Sequence, residues 1–358
     1  MYIRQISLIS FEEIMKFQQE TKLEMILSQM DVSKLANSLR KSTDSKGPKG
    51  YAPTAIIYAL IAMQVEKIQT IKDLVLNLKQ NPVLRYCCGF DVLGQVPSES
   101  TFSRFFERLT QNKELESLFY SLVLKAKELN IIDGDHISID STTLNSFESS
   151  KPKKHINDDG TVAITMIDKF LERYKSVFSP SYYAMDSGYD FEYVYEDIIN
   201  KYNAIPIIAY NPRGSFAPPE RLDQDFDPVC SAGYKLVYWG KDKNFLKFRC
   251  PHAVGKCDCP HGMNWCSSSN YEYTLKLNYK ENPRHHGYPL RSSDKWKRHY
   301  DKRTSVERCN SRLKGYLNLD NIRSKGNKKA KIHALLNCIA LIAGTIAVNS
   351  RKSLNIAA

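Results

Sequence analysis

The sequence predicts an α/β fold with flanking helices, preceded by a helical N-terminal domain and interrupted by a Cys-rich insertion. Three observations lead there. Phe102, Phe105, Phe106 and Leu109 recur at i, i+3, i+4 and i+7, the stripe of an amphipathic helix. From Ile131 the period drops to two, and strand, helix, strand, helix and strand alternate as far as Tyr210. From 211 to about 270, Pro, Gly and Cys cluster and the periodicity fades.

Taken in order, residues 1–130 read as helical and as a DNA-binding domain. Pro53 opens an Ala/Ile/Leu-rich run to Met63, a helix start with Pro in its first turn. Ser98 and Ser100 offer N-caps before the Phe stripe. Thr70 to Leu109 fits a helix-turn-helix-like DNA reader or a plain helical packing domain. Residues 131–212 hold the first part of the α/β core. There Ile137 and Ile139 face one side of a strand, and Ser138 and Asp140 the other. A polar loop over 151–160, a helix over Thr161 to Tyr174 and a strand ending at Asp186-Ser187-Gly188 follow. Phe191 to Tyr202 reads as a helix and Ile205 to Tyr210 as a strand. Residues 213–270 form the insertion, and 271–358 return to the core with the strand Tyr271 to Tyr279, basic helices and an apolar terminal helix.

The chain has 358 residues, 42% of them hydrophobic, enough for one large or two modest domains with real cores. Its net charge of +12 calls for a polyanionic partner, nucleic acid before an acidic membrane surface. Arg291 to Lys331 carries 14 Lys and Arg against 4 Asp and Glu, a footprint for phosphates. Met1 to Leu8 lacks the apolar run of a signal peptide. The apolar stretch Ala334 to Val348 has 15 residues and includes Asn337, short of the ~20 that a membrane span needs. It reads as a buried core helix, and no membrane partner is expected. Nine cysteines without an export signal read as thiols in a reducing cytosol.

Tyr300, Arg303, Glu307 and Lys314 stand three, four and seven positions apart. On one continuous helix they would share a face, joining a carboxylate to cations. Thr304-x-x-Glu307 is equally a capping box, which would start a new helix and break that face. Asp140 lies within a strand, Asp186 at a strand end and Glu307 on a helix, so the three can converge. Such a set of hard oxygen donors suits Mg²⁺ or Mn²⁺.

With these residues in hand, the chain resembles the insertion-sequence DDE transposases carrying a Y-x2-R-x3-E-x6-K signature. Tyr300, Arg303, Glu307 and Lys314 match that spacing, and ISIDST around Asp140 and AMDSGYD around Asp186 look like the first two acidic blocks. The resemblance implies a ribonuclease-H-like mixed sheet. It implies Asp140, Asp186 and Glu307 as catalytic ligands of Mg²⁺, with strand cleavage and transfer at terminal inverted repeats and into target DNA. Tyr300, Arg303 and Lys314 would contact DNA, and Arg308 and Arg312 of the same basic segment join them. A homodimer or higher synaptic complex in the bacterial cytoplasm, on the nucleoid, completes the expectation. A non-catalytic DNA-binding protein of transposase descent is the alternative.

Cys250, Cys257, Cys259 and Cys266 fall within 17 positions in two near-repeated Cys-Pro-His units. Four thiols so close read as tetrahedral Zn²⁺, with His252, His261 and Cys230 in reserve; unpaired thiols in a loop are the other reading.

Overall fold

The computed structural model describes residues 9–40, 50–144, 158–213 and 221–357, with side chains as far as Arg351. The polar loop expected over 151–160 lies outside the described residues up to 157. The chain forms two compact units. One takes the described residues of Met1–Asp133, Thr142–Pro152 and Cys309–Ala358, the other those of Gly134–Ser141 and Lys153–Arg308.

The first unit is helical. It holds α1 (Phe11–Phe17), α2 (Lys22–Leu27), α3 (Ser33–Ser38), α4 (Pro53–Val65), α5 (Ile71–Gln80), α6 (Pro82–Cys87), α7 (Glu99–Leu109) and α8 (Glu114–Glu128). Pro53 starts α4, where its fixed φ is already helical and its missing N–H has no helical partner to lose. Ten of the 13 residues of α4 are buried, so this helix is apolar on all sides because it is enclosed on all sides. In α7 the stripe Phe102, Phe105, Phe106 and Leu109 is buried; each such side chain contributes about 1.5–3 kcal/mol. Ser98 is the N-cap residue, but its hydroxyl turns to Ser100 and Thr101 and makes no capping bond. Over 70–109, α5, α6 and α7 send their apolar faces inward and leave Lys72, Lys79, Arg104 and Arg108 outside.

The terminal helix corrects the sequence expectation. Here α13 runs Asn327–Ala357, 31 residues, and it packs on α2, α4 and α8. It therefore belongs to the helical unit and not to the second part of an α/β core. Leu336, Ile339, Ala343 and Ile346 are fully enclosed in the helical core, the burial that dictates this placement. By length and composition alone α13 could cross a membrane, and half of its most apolar window is buried inside the protein.

A polar chain runs through this apolar core. The Asn337 amide donates to Gln64 Oε1 (3.0 Å) and to the His333 carbonyl (2.8 Å), and its Oδ1 accepts from the Asn318 N–H (2.9 Å). His333 Nε2 donates to the Asn318 carbonyl at 2.7 Å. All four residues are buried. Burial lowers the His333 pKa, so protonation favours the unfolded chain. The stability it contributes is complete above the unfolded pKa of about 6.5 and is lost as pH falls below it. Thermal melts at pH 7.5 and 5.5 should show a lower Tm in acid. His333→Gln, which keeps a donor without the titration, should lose less than the parent chain does.

The second unit holds two sheets. In the first, β1 (His136–Ile139), β2 (Tyr182–Met185) and β3 (Ile205–Ile208) run parallel in the order β1-β2-β3. Helical crossovers impose that direction: α9 (Asp159–Tyr174) links β1 to β2, and α10 (Glu192–Glu196) with a π turn, Asp197–Lys201, links β2 to β3. The second sheet is an antiparallel meander of β4 (Val237–Asp242), β5 (Phe245–Arg249) and β6 (Thr274–Asn278). Among the described residues the parallel and antiparallel strands thus form separate sheets, not one mixed sheet. The expected strand Tyr271 to Tyr279 appears as β6, yet it pairs with β5, so the Cys-rich region continues beyond 270. The last helices are α11 (Asp294–Asp301) and α12 (Thr304–Gly315); the boundary between the units falls inside α12, after Arg308.

Candidate active site

The register of the parallel sheet sets Ile139 opposite Met185. Asp140 and Asp186 are the next residues on each strand, so both leave the C-terminal edge at neighbouring positions about 5 Å apart in backbone spacing. The Asp186 carboxylate accepts the Gly188 N–H at 2.8 Å and caps the single 3₁₀ turn Ser187–Tyr189. Tyr189, packed beneath, senses the cluster. Burial raises its phenol pKa, a Ser141 hydrogen bond opposes this, and the charges of Asp159, Asp140 and Asp186 add to the rise.

Asp159 went unnoticed in the sequence. It occupies the first turn of α9, and its Oδ2 lies 3.8 Å from where a Gly188 side chain would begin, beside Asp186. Gly160 permits this approach: a Cβ there would meet the Tyr193 hydroxyl and stand 2.9 Å from Val194 Cγ2. The available signal was the pair Asp158-Asp159 before a helical period, since Asp158 is the N-cap and accepts the Thr161 N–H at 2.8 Å.

The Tyr300–Glu307 stretch is not one helix face. The chain turns at Lys302-Arg303 and restarts at Thr304, because Arg303 N–H bonds the Tyr300 carbonyl (2.8 Å) and Thr304 Oγ1 the Asp301 carbonyl (2.8 Å). Side chains rejoin what the backbone separates. The Arg303 guanidinium lies 5.5 Å from the Tyr300 ring centre and donates to Glu307 Oε1 at 2.6 Å. The corner is held on β1: Ser138 Oγ donates to the Lys302 carbonyl (3.3 Å) and meets Ser305 Oγ (3.2 Å). His136 Nε2 meets His299 Nδ1 at 2.8 Å, and the Tyr182 ring stacks on both imidazoles. A cavity of about 230 Å³ brings Val306 of α12 and Asp140 to one lining with Ile139, Met166 and Phe170.

The three expected carboxylates therefore stand as a pair and a neighbour. Asp140 and Asp186 share a sheet edge, while Glu307 is engaged by Arg303. Among the described residues no group of three His, Cys, Asp or Glu side chains is arranged to hold a metal ion. Arg308 bonds Thr304 Oγ1 (2.9 Å), and Arg312 is exposed. In the helical unit Lys314 donates to the Thr143 carbonyl (2.7 Å) and lies 3.5 Å from Asp320. Cys250 is buried and donates to Glu272 Oε2 (2.9 Å), and Cys257, Cys259 and Cys266 are half-buried free thiols.

Two family comparisons match the chain: a transposase domain (DUF772) over residues 11–108 and a transposase DDE domain over 229–341. The chain belongs among the DDE transposases. The two spans together cover more than half of it. No curated protein and no solved structure matches it. In this transposase the first span coincides with α1 to α7. The second contains Glu307 and all four cysteines of the Cys-Pro-His units. Asp140 and Asp186 lie outside both spans.

The transposase also carries a buried ion pair that the sequence did not disclose. The Asp190 side chain has no solvent exposure. It accepts from the Tyr195 hydroxyl (2.8 Å), from the Asn211 N–H (2.8 Å) and twice from Arg284, at 2.9 and 3.1 Å. Asn211 in turn donates to the Ser187 carbonyl (3.0 Å), next to Asp186. Asp190→Ala leaves Arg284 without its carboxylate and should destabilise the protein by about 3–5 kcal/mol in urea titration. Arg284→Ala should cost a similar amount, and the double variant much less than the two together.

Proposed function

We propose that this transposase cuts DNA at the ends of an insertion sequence and joins the freed strand to target DNA, with Asp140, Asp186 and Glu307 as its working carboxylates. The observation that carries the reading is the placement of Asp140 and Asp186 at matched positions on adjacent parallel strands. The C-terminal edge of such a sheet is where open α/β folds take their ligands.

The donor set fits a hard divalent cation. Two carboxylates share one edge, a third acid, Asp159, stands beside them, and like charges so close favour a cation between them. Asp140 and Asp186 would hold Mg²⁺ or Mn²⁺, and Glu307 would join them. Bound there, the ion supplies Lewis-acid activation of a water or hydroxyl and stabilises the leaving oxygen. Arg303 would take a DNA phosphate as a fork, and Lys314, Arg308 and Arg312 would add charge along the backbone. Tyr300 would stack or hydrogen-bond near the cut strand. The synaptic assembly would be a homodimer or larger, in the cytoplasm and without a membrane partner. That α13 is built into a helical core supports this.

A non-catalytic DNA-binding role is the second reading. It is favoured by the Arg303–Glu307 pair, which leaves the third carboxylate engaged.

Asp140→Asn and Asp186→Asn should lower strand cleavage with Mg²⁺ or Mn²⁺ by about a hundredfold or more, since several kcal/mol of charge stabilisation are withdrawn. Gel shifts of end-containing duplexes should show their binding intact. Arg303→Ala and Lys314→Ala should weaken binding and flatten its salt dependence by about one unit per lost phosphate contact. A wild type that binds ends and never nicks them selects the second reading. Aspartate variants that cut like the parent would remove Asp140 and Asp186 from the site.

A further inference from the structure

The Cys-rich module of the second unit has little apolar core. Its buried apolar cluster is Cys230, Leu236, Leu246 and Phe248, with partly buried residues such as Tyr234, Tyr273 and Leu275 packed against it. Between the end of β5 at Arg249 and the start of β6 at Thr274 the chain is turns and bends alone. Irregular segments longer than about 15 residues are uncommon in compact domains, and modules with so small a core are usually stapled. Among the described residues every cysteine is free, so the staple is not a disulfide.

We propose that this module binds one Zn²⁺ through the sulfurs of Cys230, Cys257, Cys259 and Cys266, with Cys250 and Glu272 as an outer pair. The ligand set differs from the four cysteines that spacing suggests. Cys250 is turned to Glu272, and Cys230 takes its place.

Four observations support it. First, Cys230 and Cys259 each open a tight Cys-x-x-Gly turn. Gly233 N–H returns to the Cys230 carbonyl at 2.9 Å and Gly262 N–H to the Cys259 carbonyl at 3.1 Å, with both glycines at positive φ. Turns of this kind present a thiol and nearby backbone N–H groups to one point. Second, His252 Nδ1 lies 3.0 Å from the Cys257 carbonyl and 3.3 Å from the Cys259 N–H, gathering the Cys-x-Cys backbone. Third, Tyr234, whose carbonyl accepts the Cys230 N–H at 2.8 Å, sets its hydroxyl 3.4 Å from the Asp258 carbonyl between Cys257 and Cys259, and the Trp265 ring beside Cys266 stacks on His261 of the Cys259 turn.

The fourth observation points to a cation. Glu272 is 4% exposed and sits in the left-handed region at φ 51°. Its Oε1 has no hydrogen-bond partner, and no ion pair reaches it among the described residues. A buried carboxylate left so costs several kcal/mol unless a positive charge is near. Arg249, next to Cys250, has its Nε buried without a partner as well, and thiolate sulfurs accept such donors. Among the described residues the thiols do not already stand as a ligand group. Binding would close the turns and release the four thiol protons to solvent.

The test uses the full chain purified without chelator. Elemental analysis should find about one zinc per chain, and exchange into Co²⁺ should give the charge-transfer and visible bands of a tetrahedral thiolate site. Cys230→Ser should lose the metal and the bands, Cys250→Ser should keep both, and Asp140→Asn should leave the zinc untouched. No zinc and no cobalt bands in the wild type would overturn the proposal. So would retention by Cys230→Ser with loss in Cys250→Ser. Wild-type metal content and bands decide the matter even if a variant does not fold.

Discussion

A carboxylate with no access to water must be met from every side, and Asp190 is met by three separated parts of the chain. Tyr195 comes from α10, the Asn211 backbone from the end of β3, and Arg284 from the segment leading to α11. Arg291 extends the set by donating to the Tyr195 hydroxyl at 2.8 Å. Each bond is worth little by itself in water, but in an enclosed site any missing partner exposes the full desolvation cost of the others. The loop Asp186 to Asp190 is therefore pinned at its far end, and its near end carries the aspartate at the sheet edge. The geometry of the candidate active site rests in part on this ion pair.

The parallel sheet supplies the other half of that geometry. Crossover helices force β1, β2 and β3 to run the same way, so their C-terminal ends line up. Residues that follow matched strand positions then emerge side by side. Asp140 and Asp186 use that alignment, and the start of α9 adds Asp159 because Gly160 leaves room for the neighbouring aromatic residues. Negative charge gathered at one edge repels itself, a repulsion that a cation bound there would relieve.

The helical unit solves a different problem. An all-apolar interface between α4 and α13 could slide by a turn with little loss. The chain Gln64–Asn337–Asn318–His333 gives that interface a register, since a shift would strand several buried donors and acceptors at once. The burial that makes α13 resemble a membrane helix in composition is the burial of a central core helix.

The sequence by itself determined the elements whose residues alternate or recur with a clear period. The Phe stripe of α7, the strand that ends before Asp186 and the body of the helix from Thr161 to Tyr174 were legible, because local period records which face is buried. By contrast, β1 stops at Ile139 and leaves Asp140 just past its end, not within it. The acids were legible as well, since a carboxylate at the end of an apolar strand stands out. Period does not say which partner covers a face, and that was left to the tertiary structure. It assigned β6 to the meander and α13 to the helical unit. It broke the helix at Lys302-Arg303, where the Thr304 hydroxyl bonds the Asp301 carbonyl and Arg303 pairs with Glu307. It brought Asp159, Asp190 and Arg284, far apart along the chain, to the strand-end loops. Each of these outcomes rests on a contact between distant residues, and the free energy of such a contact is not written in either segment alone.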